Sequence, residues 1–119
     1  IPNKLTSLHI STSNILDKNV SKTYIDLSHI TEFPESLKNI MINNCNLKNL
    51  TKLPSKLKEL NVLDNNLKKL PTLPETLKEL NCSGNQLNEL PKLPDSLTKL
   101  VCNHNQLTDL PDLPLAICG

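Results

Sequence analysis

Apolar positions in this chain return every twenty residues. Leu57, Leu60, Val62, Leu67, Leu70 and Leu73 are followed by Leu77, Leu80, Cys82, Leu87, Leu90 and Leu93, then by Leu97, Leu100, Cys102, Leu107, Leu110 and Leu113. One polar place is held just as firmly, by Asn65, Asn85 and Asn105. The positions between these landmarks vary freely, which separates framework from surface. A fixed period of this length marks a solenoid. Each copy is too small to bury its own apolar face, so copies must stack.

Within a copy the period changes twice. Glu59-Leu60-Asn61-Val62-Leu63 alternates outward and inward at period two, which predicts a short strand with Leu60 and Val62 inside. Stacked copies bring these strands side by side and parallel. The return path carries Pro71-Thr72-Leu73-Pro74. Proline fixes φ near −65° and donates no hydrogen bond, so this side is expected to be extended and polyproline-like, with little helix. The predicted architecture is a curved slab with short parallel β-strands on its concave face.

The regular array reads as 37–116. Phe33-Pro34-Glu35-Ser36-Leu37 matches Leu73-Pro74-Glu75-Thr76-Leu77, and Leu37, Ile40, Ile42, Cys45, Leu47, Leu50 and Leu53 make the first full copy. Residues 1–36 read as irregular N-terminal repeats that form a cap, within a single domain over 1–119. Leu5, Leu8 and Ile10 fit the first three framework places. Val20–Phe33 fits as a shortened copy, with Thr23 and Ile25 inward or, in an alternative alignment, Leu27 in the place of Ile25. Ile117 stands twenty after Leu97, so the C-terminal end reads as truncated.

The framework L-x-x-L-x-V-x-x-N-x-L-x-x-L-P-x-L-P resembles the leucine-rich repeat. The twenty-residue length and the closing LPxLP are similar to the bacterial form in the repeat domains of YopM and IpaH-type secreted effectors. The resemblance covers about Leu37–Leu113. It implies a leucine-rich-repeat solenoid, a protein partner, and a bacterial protein secreted into a host cell, with the cytoplasm as the alternative location.

Composition removes several function classes. All 13 basic residues are Lys, against 12 acidic ones, for a net charge of +1. That balance makes no field for nucleic acid or an anionic membrane, and without Arg there is no bidentate phosphate grip. No apolar run is long enough to span a membrane. One Phe, one Tyr and no Trp suit a solenoid of stacked leucines better than a globular core.

Candidate chemistry is sparse. The column Asn65, Asn85, Asn105 is expected to be structural, because a buried carboxamide both donates and accepts and can satisfy the turn that follows each strand. Ser28 and Cys45 take that place further up, which predicts a weaker ladder there. Cys82 and Cys102 sit at the Val62 place and read as small apolar fillers rather than a disulfide. Cys118 reads as exposed. His9, His29 and His104 are scattered, His104 reading as a solvated rim residue. No CxxC, CxxH or HxxxH spacing supports a metal site, and Gly84 and Gly119 cannot build a phosphate loop. No catalytic constellation and no cofactor are expected.

What remains is the variable concave surface. Alternation places outward Lys22, Tyr24 and Asp26; Asn39, Met41 and Asn43; Glu59, Asn61 and Leu63; Glu79, Asn81 and Ser83; and Lys99, Val101 and Asn103. Tyr24, Met41, Asn61, Leu63, Asn81, Val101 and Asn103 are the candidate partner-binding residues. Four of them are apolar without a core to explain it. The reading is a non-catalytic protein-recognition module. Its alternatives are the substrate-recognition arm of a larger IpaH-type ubiquitin ligase, whose Cys-x-Asp motif this chain lacks, and an architectural spacer.

Overall fold

Each regular copy begins with a tight turn set by the proline three residues before its first leucine. The carbonyls of Pro34, Pro54, Pro74 and Pro94 accept from the amides of Leu37, Leu57, Leu77 and Leu97 at 3.1–3.2 Å. The next two amides then donate together to one carbonyl of the preceding copy: Lys58 and Glu59 to Lys38, Lys78 and Glu79 to Lys58. This shared bond starts every strand at the same height, which fixes the register.

The computed structural model describes residues 6–11, 33–50 and 52–111. Its five strands are β1 (Ser7–Ser11), β2 (Asn39–Asn43), β3 (Glu59–Asn61), β4 (Glu79–Asn81) and β5 (Lys99–Val101). They form one parallel sheet in chain order. Leu60 stands opposite Ile40 and Leu80, and Leu100 opposite Leu80. Among the described residues there is no helix, and none therefore long and apolar enough to cross a membrane.

Behind the sheet the framework residues form one continuous core. Leu37, Leu57, Leu77 and Leu97 are fully buried, as are Leu47, Leu67 and Leu87. Phe33, Leu53, Leu73 and Leu93 close it on the return side. The last described layer is less covered. Leu100, Cys102 and Leu107 are half-buried, and Leu110 is 51% exposed where Leu70 and Leu90 are 8%.

One expectation about the strands needs correction. The strand expected over Glu59–Leu63 ends at Asn61. Val62 still points into the core, but Leu63 and Asp64 turn, with Asp64 at φ 55°. The amide of Leu63 bonds to Asn61 Oδ1 (3.1 Å) in place of a neighbouring strand. At the N-terminal edge the spacing between strands differs. β1 pairs directly with β2, Ser7 opposite Asn39 and Ile10 opposite Ile42. Partners 32 residues apart replace the usual twenty. Residues 12–32, and with them most of the shortened copy read over Val20–Phe33, lie outside the described residues. Leu8 keeps its assigned place, packed against the core.

Candidate functional site

The turn after each strand is held by the asparagine column. Asn65 Oδ1 accepts from the amides of Cys45 and Leu47, both at 3.0 Å. Its Nδ2 donates back to Ile42 O (2.7 Å) and to Val62 O in its own copy (2.9 Å). Asn85 repeats this one layer on, with Leu67 N, Val62 O and Cys82 O. Asn105 takes Leu87 N, Cys82 O and Cys102 O. Val62 O and Cys82 O thus each receive two carboxamides, one from their own copy and one from the next. Asn65 and Asn85 are buried, and Asn105 in the last described layer is half-exposed. Cys45, in the same place, sends its thiol only a short way, to Asn43 O (3.1 Å).

Beside this column runs another that the sequence reading missed. Asn44, Asp64, Gly84 and His104 all have positive φ, between 55° and 71°. Asn, Asp and His are the non-glycine residues that enter this left-handed region most readily, and Gly enters it freely. The mixture looked like unconstrained surface because its members share a backbone preference and no side-chain chemistry. His104 is exposed, as a rim residue would be, yet it also sets the turn. A Cβ at Gly84 would meet the Asp64 carboxylate, an exposed side-chain end that can swing aside, so the preference for glycine there rests on its φ of 71°.

Cys82 is buried and Cys102 half-buried, and both are free thiols. Burial, with the Cys102 thiol beside it, pushes the Cys82 pKa from 9.0 to about 12. Since the thiolate is the reactive form, native Cys82 is expected to resist alkylation at pH 8. Its labelling rate should climb only as pH rises toward 12, whereas in the unfolded chain it climbs through 9. Cys102, also raised by burial but more open, should label first. Mass spectrometry after timed alkylation checks this, and Cys82 labelling as fast in the native chain as in urea would contradict it. Cys118 lies outside the described residues.

On the opposite face the sheet forms a shallow groove. Asn39, Met41, Glu59, Asn61, Glu79, Asn81, Lys99 and Val101 line it, with His9 at the β1 end. Two columns cross it. One carries Asn39, Glu59, Glu79 and Lys99 in direct register, and the other Met41, Asn61, Asn81 and Val101. Glu59 and Glu79 are adjacent like charges. Lys99 Nζ stands 3.9 Å from Glu79 Oε1, with both side chains well exposed, so the pair adds little stability. Asn61 and Asn81 are preset, because their Oδ1 atoms accept from the amides of Leu63 and Ser83 at 3.1 and 3.2 Å.

The groove brings together Met41, Asn61, Asn81 and Val101 from the candidate binding set. Leu63, half-buried, and Asn103, exposed, follow their strands and are not among its lining residues. Ser83, expected outward, is 4% exposed and donates its hydroxyl to Asn81 Oδ1. Tyr24, with Lys22 and Asp26, lies outside the described residues. Among the described residues no group of three His, Cys, Asp or Glu side chains is placed to hold a metal ion.

With the geometry in place, comparison with known proteins gives consistent results. The family model described as Leucine Rich repeats (2 copies) matches residues 75–115. No curated protein matches. Among solved structures, YopM from Yersinia enterocolitica WA-314 aligns with a TM-score of 0.71 and 40% identity over 72% of this chain. The structure titled as that of YopM, a leucine-rich effector protein from Yersinia pestis, aligns with a TM-score of 0.73 and 38% identity over 76%. The chain spans 19% and 26% of those two proteins.

Proposed function

We infer that this leucine-rich-repeat solenoid, similar in sequence and fold to part of YopM, is a recognition module that meets a protein partner on its concave face and performs no chemistry of its own. The observation that carries the reading is the groove. It crosses the sheet, and it is too small, at about 130 Å³, for the 300–1,000 Å³ typical of small-molecule sites. Apolar Met41 and Val101 flank a centre of preset carboxamides and the carboxylates Glu59 and Glu79. An interface of this make-up suits a protein that brings apolar contacts to the ends and a cation to the middle. The likeness to a leucine-rich effector supports delivery into a host cell as the setting.

The test is affinity capture from host lysate, followed by affinity measurement for the captured partner. Met41→Glu with Val101→Glu is expected to weaken binding at least about thirtyfold, since two apolar anchors buried by a partner together contribute roughly 2 kcal/mol or more. Both residues project from the sheet into the groove, so stability should move by about 0.5 kcal/mol or less. Thr72→Glu with Lys92→Glu, both exposed on the return side, should leave binding intact. Loss of binding in the return-side variant, with the groove variant still binding, would transfer the working surface to the proline-lined side.

A further inference from the structure

We propose that the flank carrying Lys48, Lys68 and Lys69 is a binding site for a phosphate-class oxyanion. A second concavity opens there, lined by these three lysines with Asn49, Asn66 and Gln86. It shares no residue with the concave groove and does not depend on the function inferred for that groove.

Three observations point to an anion. The first is charge. The whole chain is nearly balanced, 13 basic residues against 12 acidic, yet this lining holds three cations and no carboxylate. Among the described residues none of the three lysines has an ion-pair partner. The second is placement. The amides of Asn66 and Gln86 donate to the carbonyls of Leu47 and Leu67 at 2.8 Å. These bonds lock successive return segments together, so Lys48 and Lys68 rise from equivalent points one layer apart. Like charges placed side by side repel, and an anion between them turns that repulsion into attraction. The third is confinement. One and two copies on, the places of Lys69 are taken by Glu89 and Asp109, so the positive field belongs to this stretch and not to the framework.

The donors also select the ligand. Ammonium groups and side-chain amides donate to an acceptor-only ligand, and Lys serves phosphate as a mobile point charge. Three cations favour a doubly charged tetrahedral anion over a singly charged carboxylate. The same chemistry could come from free phosphate or from a phosphomonoester on a peptide.

Titration of the full chain with inorganic phosphate, followed by side-chain amide NMR, tests the site. The Gln86 and Asn49 signals should shift and saturate, with a dissociation constant of order millimolar. Lys68→Gln with Lys69→Gln should weaken this at least about tenfold. Lys38→Gln with Lys78→Gln, exposed lysines elsewhere, should not change it. A second titration uses a phosphoserine tripeptide and its unphosphorylated form. If the phosphopeptide binds about tenfold tighter than phosphate, the site reads a phosphomonoester on a chain; if the two bind equally, it takes the free anion. Shifts that rise linearly without saturating, or that both lysine pairs reduce alike, reflect general charge screening and would overturn the proposal.

Discussion

Asn65→Ala is expected to cost the fold about 3 kcal/mol, Asn85→Ala about 2 and Asn105→Ala about 1, the order being set by which backbone groups are left without a partner. Removing the Asn85 carboxamide strands the buried amide of Leu67. The carbonyls it served keep another donor: Val62 O keeps Asn65, Cys82 O keeps Asn105, and Ser83 O keeps the amide of Asp64. Removing Asn65 does more. Leu47 N and Ile42 O both lose its carboxamide, along with the bond to Cys45 N. Val62 O keeps Asn85, and Leu63 O keeps the amide of Asn44. Asn105 is half-exposed, so water replaces part of what is lost. Asn88→Ala, at an exposed site three residues beyond Asn85, should stay within about 0.5 kcal/mol of the parent. Urea unfolding of the four variants checks the series. Equal midpoints for Asn85→Ala and Asn88→Ala would remove the structural role of the column.

Leu80→Ala is expected to be as damaging, at about 3 kcal/mol. Leu80 is 1% exposed and sits between Leu60 and Leu100 on adjoining strands. Truncation leaves a cavity in the middle of the array, where the layers above and below are both tied to the backbone ladder and cannot collapse into it. In a solenoid the interface between neighbours carries most of the stability. Loosening the third regular copy from the second and the fourth should therefore let the two sides open separately. Leu110→Ala, at a side chain already 51% exposed, should cost less than about 1 kcal/mol. Hydrogen exchange gives the sharper view: Leu80→Ala should lose amide protection on both sides of β4, and Leu110→Ala only beyond β5. Comparable losses from the two would mean that stability in this chain does not follow the leucine layers.

Much of this was legible in the residues. Period twenty, the L-x-V centre and the proline pairs were enough for parallel strands, extended returns and little helix, because each follows from a local property. Alternation decides which side chains face inward, and proline decides where the backbone cannot donate. The placing of Leu60, Val62, Leu67 and their repeats inside needed nothing beyond this pattern.

Other features arise only when copies meet in space. Val62 O and Cys82 O are shared by carboxamides from two layers, an arrangement that no single copy contains. The left-handed column from Asn44 to His104 is a backbone demand met by four different side chains, so it leaves no shared residue type to read. The strands stop at Asn61 and Asn81 because those side chains capture the amides two residues on, Leu63 and Ser83, so two expected contact residues also serve as strand caps and Ser83 is buried. Direct pairing of β1 with β2 depends on which strand edges meet in space, and partners 32 residues apart have no trace in a twenty-residue pattern. The groove and the lysine flank depend on the same thing. Their residues stand twenty apart in the chain and become neighbours only through stacking. Period alone could therefore settle the architecture, while the surfaces that could bind another molecule were set by the contacts between layers.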